Sequence, residues 1–150
     1  MPGLLVIAHA PLASALRSVA EHVYPDCARL LTVLDVLPET SPEDVEAQVA
    51  SLLQRMGPAE VLILTDVLGA TPCNVALRLA DGVRVKVVTG VNVPMLWRSL
   101  CYVDEPLDAL AARALAGGVQ GTMLVGSTRT ESQTGCAPDA DAKSHGHDHQ

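Results

Sequence analysis

Short apolar runs, each closed by a polar residue or a turn, alternate along this chain with stretches of helical periodicity. The first run, Leu4-Leu5-Val6-Ile7-Ala8, reads as a strand buried on both faces and stops at His9. Leu12, Leu16, Val19, Ala20 and Val23 then recur at helical spacing as far as Tyr24-Pro25, where proline disfavours further helix. Arg29 to Val36 predicts a second strand. Ser41-Pro42-Glu43-Asp44 has the form of a helix start: a good N-cap, a pre-set φ, and two carboxylates at the positive helix end. That helix turns Val45, Val49, Leu52 and Leu53 inward, reaches about Met56, and stops at Gly57. Val61 to Thr65 is a third strand, closed by Asp66. The turn Val67-Leu68-Gly69-Ala70-Thr71-Pro72-Cys73-Asn74 leads into a helix that buries Val75, Ala76, Leu79 and Ala80, with Asp81-Gly82 closing it. Val83 to Thr89 predicts a fourth strand, and Gly90 to Leu96 a loop and helix start. Two helices follow, near Pro94–Cys101 and Glu105–Ala116. Gly117-Gly118 is expected to end the second of these, ahead of a short last strand, Thr122 to Val125.

Strand and helix alternating in this way predict an α/β fold, a doubly wound and mainly parallel sheet with helices on both faces. The expected strand order is 2-1-3-4, plus the short last strand. Residues 1–126 form one domain on this reading. From Ser127 to Gln150 the apolar period is gone and the composition is polar, which predicts a disordered tail over 127–150. In the order 2-1-3-4 the chain reverses direction across the sheet between strands one and three. Ligands collect at such a switch point, outside the carboxyl ends of the strands. The two loops that meet there carry His9 and the Asp66–Asn74 segment.

Composition narrows the chemistry. Hydrophobic residues make up 49% of the chain but aromatics only 2%, with no Phe, so the core must be built from Leu, Val, Ile and Ala. The net charge of −7 is not confined to the tail and argues against a nucleic-acid partner. Cys27, Cys73, Cys101 and Cys136 contain no C-x-x-C pair, so neither a zinc site nor a disulfide framework is expected. No apolar stretch approaches a membrane span, which excludes direct membrane insertion, and a reduced, cytoplasmic protein is the natural expectation. His145, His147 and His149 could chelate a divalent metal, but alternating histidines on a floppy chain lack a fixed outer shell, and no metal site is assigned. There is no Walker lysine and no G-x-G-x-x-G, so no nucleotide and no other cofactor is implied.

What remains at the switch point is a nucleophile with supporting groups. Neutral imidazole is a nucleophile at physiological pH, and a carboxylate such as Asp66 bonded to one ring nitrogen of His9 fixes the tautomer that frees the other. Backbone N–H groups of Thr71 and Cys73 at a helix start make a site for an anion such as phosphate. Pro72 offers none, and Cys73 itself reads as a small apolar filler. The Thr71 hydroxyl can donate one more bond or cap the helix, and Gly69 lets the backbone come close. Ala70 lies in the same phosphoryl-binding loop, and Asn74 and Asn92 are second-rank candidates, Asn92 as a residue that shapes its own turn. Reversible phosphorylation of a histidine requires such a set.

These pieces resemble the mannose-type IIA component of the bacterial phosphoenolpyruvate-dependent sugar phosphotransferase system. The matching residues are the strand ending in His9, Asp66-Val67-Leu68-Gly69-Ala70-Thr71-Pro72-Cys73-Asn74 against D-x-x-G-G-S-P-x-N, and Gly90-Val91-Asn92-Val93-Pro94-Met95-Leu96 against G-V-N-x-P-M-L. The resemblance implies that His9 accepts a phosphoryl group from the carrier HPr and passes it to a IIB-type partner, in sugar uptake or as a regulatory relay. It implies that Asp66 orients His9, that Thr71 takes the place of the family's serine, and that the chain forms a homodimer that exchanges its final strand. Ala70 stands where the family has a second glycine, and Cys73 replaces a common aromatic. A non-catalytic regulatory binding module of the same fold, and a phosphotransfer subunit of a dihydroxyacetone kinase, are the alternatives.

Overall fold

The computed structural model describes residues 1–126. Four parallel strands, β1 (Gly3–His9), β2 (Leu31–Val36), β3 (Val61–Thr65) and β4 (Val85–Thr89), form one sheet in the order β2-β1-β3-β4. Six helices accompany them: α1 (Leu12–Val23), α2 (Pro25–Ala28), α3 (Pro42–Arg55), α4 (Thr71–Leu79), α5 (Val93–Cys101) and α6 (Leu107–Gln120). This is the α/β architecture expected from the strand–helix alternation.

The central strands are apolar throughout because helices cover both faces. Leu4, Val6 and Ala8 of β1 point into a core shared with α1, α5 and α6, together with Leu62 and Leu64 of β3. Leu5 and Ile7 point the other way, with Ile63, against Val45 and Val49 of α3 and Val75 and Ala76 of α4. Aliphatic side chains fill both layers.

The helix starts follow local chemistry. Ser41 caps α3 by accepting the Asp44 N–H at 3.1 Å, and Pro42 opens the first turn. Asn92 caps α5 by accepting the Met95 N–H at 2.9 Å.

Four boundaries differ from the periodicity reading. Pro25 does not begin a plain loop but opens the one-turn helix α2, and β2 accordingly starts at Leu31 rather than Arg29. β4 starts at Val85 rather than Val83, because Asp81 Oδ1 accepts the N–H groups of Val83, Arg84 and Val85 and holds them in a turn. α6 runs through Gly117-Gly118 to Gln120. Those glycines are there for packing: a Cβ on Gly117 would lie 2.7 Å from Arg98 Cβ, and one on Gly118 2.6 Å from Met95 Cε. Finally, Thr122–Val125 is not a strand among the described residues, since β4 pairs only with β3 there and Leu124 is 98% exposed. The predicted tail, with His145, His147 and His149, lies outside the described residues.

Candidate phosphoryl-transfer site

His9 is the last residue of β1, and Asp66 directly follows β3. The parallel register that sets Ile7 beside Thr65 brings both side chains to the same end of neighbouring strands. Asp66 Oδ2 accepts the His9 backbone N–H at 3.0 Å and lies 2.6 Å from His9 Nδ1, while Oδ1 accepts the Val67 N–H at 2.9 Å. Burial by itself pushes the Asp66 carboxyl up. The backbone N–H of His9, the hydrogen bond and charge of its ring, and the Val67 N–H outweigh that and hold it below the ordinary carboxylate value.

An ionised carboxylate can only accept, so the proton of the neutral ring sits on Nδ1 and the Nε2 lone pair is left free. The side chain of His9 is 52% exposed and that of Asp66 12%. The carboxylate is shielded and the imidazole is open to solvent.

The loop after Asp66 carries the chain to the first turn of α4. Gly69 has φ +89°, a left-handed conformation, and nothing lies within 4 Å of where its Cβ would be. Its left-handed backbone angle favours glycine there, and no protein atom fills the space over it. Ala70 is the residue before α4, extended at φ −99° and ψ 166°, and brings no side-chain cap. Thr71 is the first helical residue, so its hydroxyl is not spent on capping α4. The Thr71 and Cys73 N–H groups precede the first intrahelical bond, Asn74 N–H to the Ala70 carbonyl at 2.9 Å, and stand at the positive end of the helix.

The other sequence candidates sort by what their polar atoms touch. The Cys73 side chain is buried at 1% exposure, which matches a filler. Asn74 Nδ2 donates to the Gly69 carbonyl at 3.3 Å and braces the loop. Asn92 holds its turn by capping α5, and its Nδ2 donates to the Gly118 carbonyl at 3.1 Å, tying α5 to α6.

Sequence reasoning missed Asp35. Its Oδ1 accepts the Ser14 N–H at 3.1 Å and caps the first turn of α1, where Pro11 offers no side-chain cap. The signal was present: Asp35 interrupts an apolar strand beside Ala8, level with the polar ends of β1 and β3. Leu12, Leu37, Val67 and Leu68, in the segments that follow β1, β2 and β3, are exposed apolar side chains. Among the described residues no three His, Cys, Asp or Glu side chains are grouped to hold a metal ion.

Residues 3–115 match the family model described as PTS system fructose IIA component. No curated protein sequence matches the chain. Among solved structures, the phosphotransferase system component EIIA from Streptococcus agalactiae is similar at 25% identity and TM-score 0.73, over 83% of this chain and 97% of that one. The mannose/sorbose specific IIA subunit of the phosphotransferase system from Enterococcus faecalis is similar at 26% identity and TM-score 0.77, over 83% and 95%. The PTS IIA protein associated with the fucose utilization operon of Streptococcus pneumoniae shares the fold, at 23% identity and TM-score 0.72 over 88% and 95%.

Proposed function

The chain belongs to the mannose/fructose-type IIA family of the sugar phosphotransferase system, and from that premise we propose that His9 carries the phosphoryl group. In this reading Nε2 of His9 attacks the phosphorus of phospho-HPr, the bond to HPr breaks, and the group later leaves to a IIB-type acceptor or a regulatory target. Asp66 holds the Nδ1 proton and offsets the positive charge that the ring gains on attack. The N–H groups of Thr71 and Cys73, with the Thr71 hydroxyl, are the donors for the transferring oxygens. The 2.6 Å contact between Nδ1 and the Asp66 carboxylate carries the proposal, because it fixes which nitrogen is free.

The exposed side chains of Leu12, Leu37, Val67 and Leu68 support a protein partner docking at this end of the sheet. A homodimer is part of the same proposal. β4 is an edge strand, and the described chain ends in exposed Met123, Leu124 and Val125, with Leu115 and Val119 exposed on α6. A segment of that kind from a second copy would cover the free edge of β4. No helix among the described residues is long and apolar enough to cross a membrane. We place the protein in the cytoplasm, where its phosphoryl donors are, as a domain over residues 1–126 that works without residues 127–150.

Incubation with labelled phosphoenolpyruvate, enzyme I and HPr tests the reading. The expected product is an acid-labile, base-stable label on the wild-type chain that is absent from His9→Ala and retained when residues 127–150 are deleted. A folded wild-type chain that takes up no label contradicts it and supports a binding module that no longer turns over phosphate.

A further inference from the structure

We propose that the groove between Tyr24, α5 and the end of α6 binds a small organic anion with an aromatic or otherwise planar face. The chain has one Trp, two Tyr and no Phe, and all three aromatic side chains line this one cavity of about 390 Å³. Tyr24 stands edge-on to Trp97, with ring centroids 6.1 Å apart at 81°. Elsewhere the buried core is built from non-aromatic side chains, so the aromatic surface of the chain is concentrated here. The volume falls in the range of small-molecule sites, which combine apolar walls with a few placed polar groups.

One donor at the cavity, the Arg98 guanidinium, lacks an acceptor among the described residues. The indole N–H of Trp97 is buried, closed to solvent and without a hydrogen-bond partner among the described residues, so the ring offers the cavity its apolar surface rather than a donor. Arg98, beside it, joins none of the ion pairs among the described residues, whereas Arg113 is already used: it lies 4.2 Å above the Tyr102 ring and bonds to Glu105. Arg98 is the only charged residue in the lining, although the chain as a whole carries −7. An anion therefore finds a guanidinium and aromatic walls, with no carboxylate in the lining to repel it. A Cβ on Gly121 would lie 2.3 Å from Pro94 Cβ, so this glycine, like Gly117, lets the end of α6 pack closely against α5 where the two wall the cavity. The lining includes neither His9, Asp66 nor the Gly69–Asn74 loop, so the inference stands apart from the phosphocarrier reading.

Trp97 is the only tryptophan, so its emission reports on this cavity directly. The full chain is titrated with phenylphosphonate, with benzoate, and with neutral benzyl alcohol. Both anions should change the emission saturably with Kd below about 1 mM, and benzyl alcohol should bind at least roughly tenfold more weakly. Arg98→Gln should weaken the anions about tenfold or more with an unchanged thermal midpoint. If that variant does not fold, Gln120→Glu at the exposed rim should weaken them about fivefold by like-charge repulsion. Saturating phenylphosphonate should also slow iodoacetamide labelling of Cys101, which shares the lining, as mapped by mass spectrometry. No saturable response to either anion, or equal binding by the wild type and the folded variants, overturns the proposal. Phosphorylation of His9, assayed in the same preparations, separates this outcome from failure of the carrier reading.

Discussion

Replacing Asp66 with Asn keeps the shape of the side chain and removes the feature on which the site turns. The carboxylate takes three donors, two from His9 on Oδ2 and one from Val67 on Oδ1, and both oxygens are acceptors. An amide has one acceptor and one donor group, so its NH2 must face either the Val67 N–H or the two His9 donors. In the first orientation the ring keeps its tautomer but loses the charge that stabilises it on attack. In the second, the ring must turn or take the wrong tautomer. A hydrogen bond to a charged group contributes about 1.5–3 kcal/mol, so losing it in the transition state slows transfer roughly 10–150-fold. The folded protein should also lose about 1–2 kcal/mol. Single-turnover transfer of label from phospho-HPr, with thermal melting on the same sample, measures both. A folded Asp66→Asn chain that is phosphorylated within about twofold of the wild-type rate would refute the orienting role.

Further expectations follow from the packing and the charges. Gly117→Ala raises helix propensity by about 1 kcal/mol. Its Cβ nevertheless meets Arg98 Cβ at 2.7 Å and the Pro94 carbonyl at 3.2 Å, so the variant should melt below wild type by a net ~1–2 kcal/mol in denaturant titrations. Ala70→Gly restores the family's glycine at a position where alanine is already unstrained, φ −99° and ψ 166°. It should cost about 0.4–1 kcal/mol through the unfolded chain and leave the phosphorylation rate within about threefold. Because the folded-state carboxyl of Asp66 lies below its unfolded value of 3.8, its stabilisation is complete above that pH and lost as pH falls through the lower folded value. The stability gap between wild type and Asp66→Asn should therefore close in melts below pH 3.8. The Asp81 carboxyl is held low mainly by the N–H groups of Val85 and Val83, so Asp81→Ala should flatten the acid limb of the wild-type stability profile.

Most of the fold was legible because the decisive signals are local. Unbroken apolar runs mark β1 and β3, Ser41-Pro42 marks α3, and strict alternation with helices restricts the strand order. What failed depended on partners that periodicity does not show. The glycines inside α6 look like a terminus until α5 is seen pressing against them, and Thr122–Val125 looks like a strand although the described residues give it no neighbour. The late start of β4 follows from Asp81, a side chain read as part of a helix stop. At the site, the proximity of His9 and Asp66 could be anticipated from the switch point. That Oδ2 takes both donors of His9, and that Asp35 caps α1 beside them, required the register of three strands at once.

The identity of the phosphorylated ring nitrogen bears hardest on the whole account. With Nδ1 bonded to Asp66 at 2.6 Å, only Nε2 is free to attack. Nuclear magnetic resonance of the ring-¹⁵N-labelled, phosphorylated chain should show phosphorus coupled to Nε2 of His9 and a proton retained on Nδ1. Phosphorus on Nδ1 of His9, or on any other residue, would contradict it.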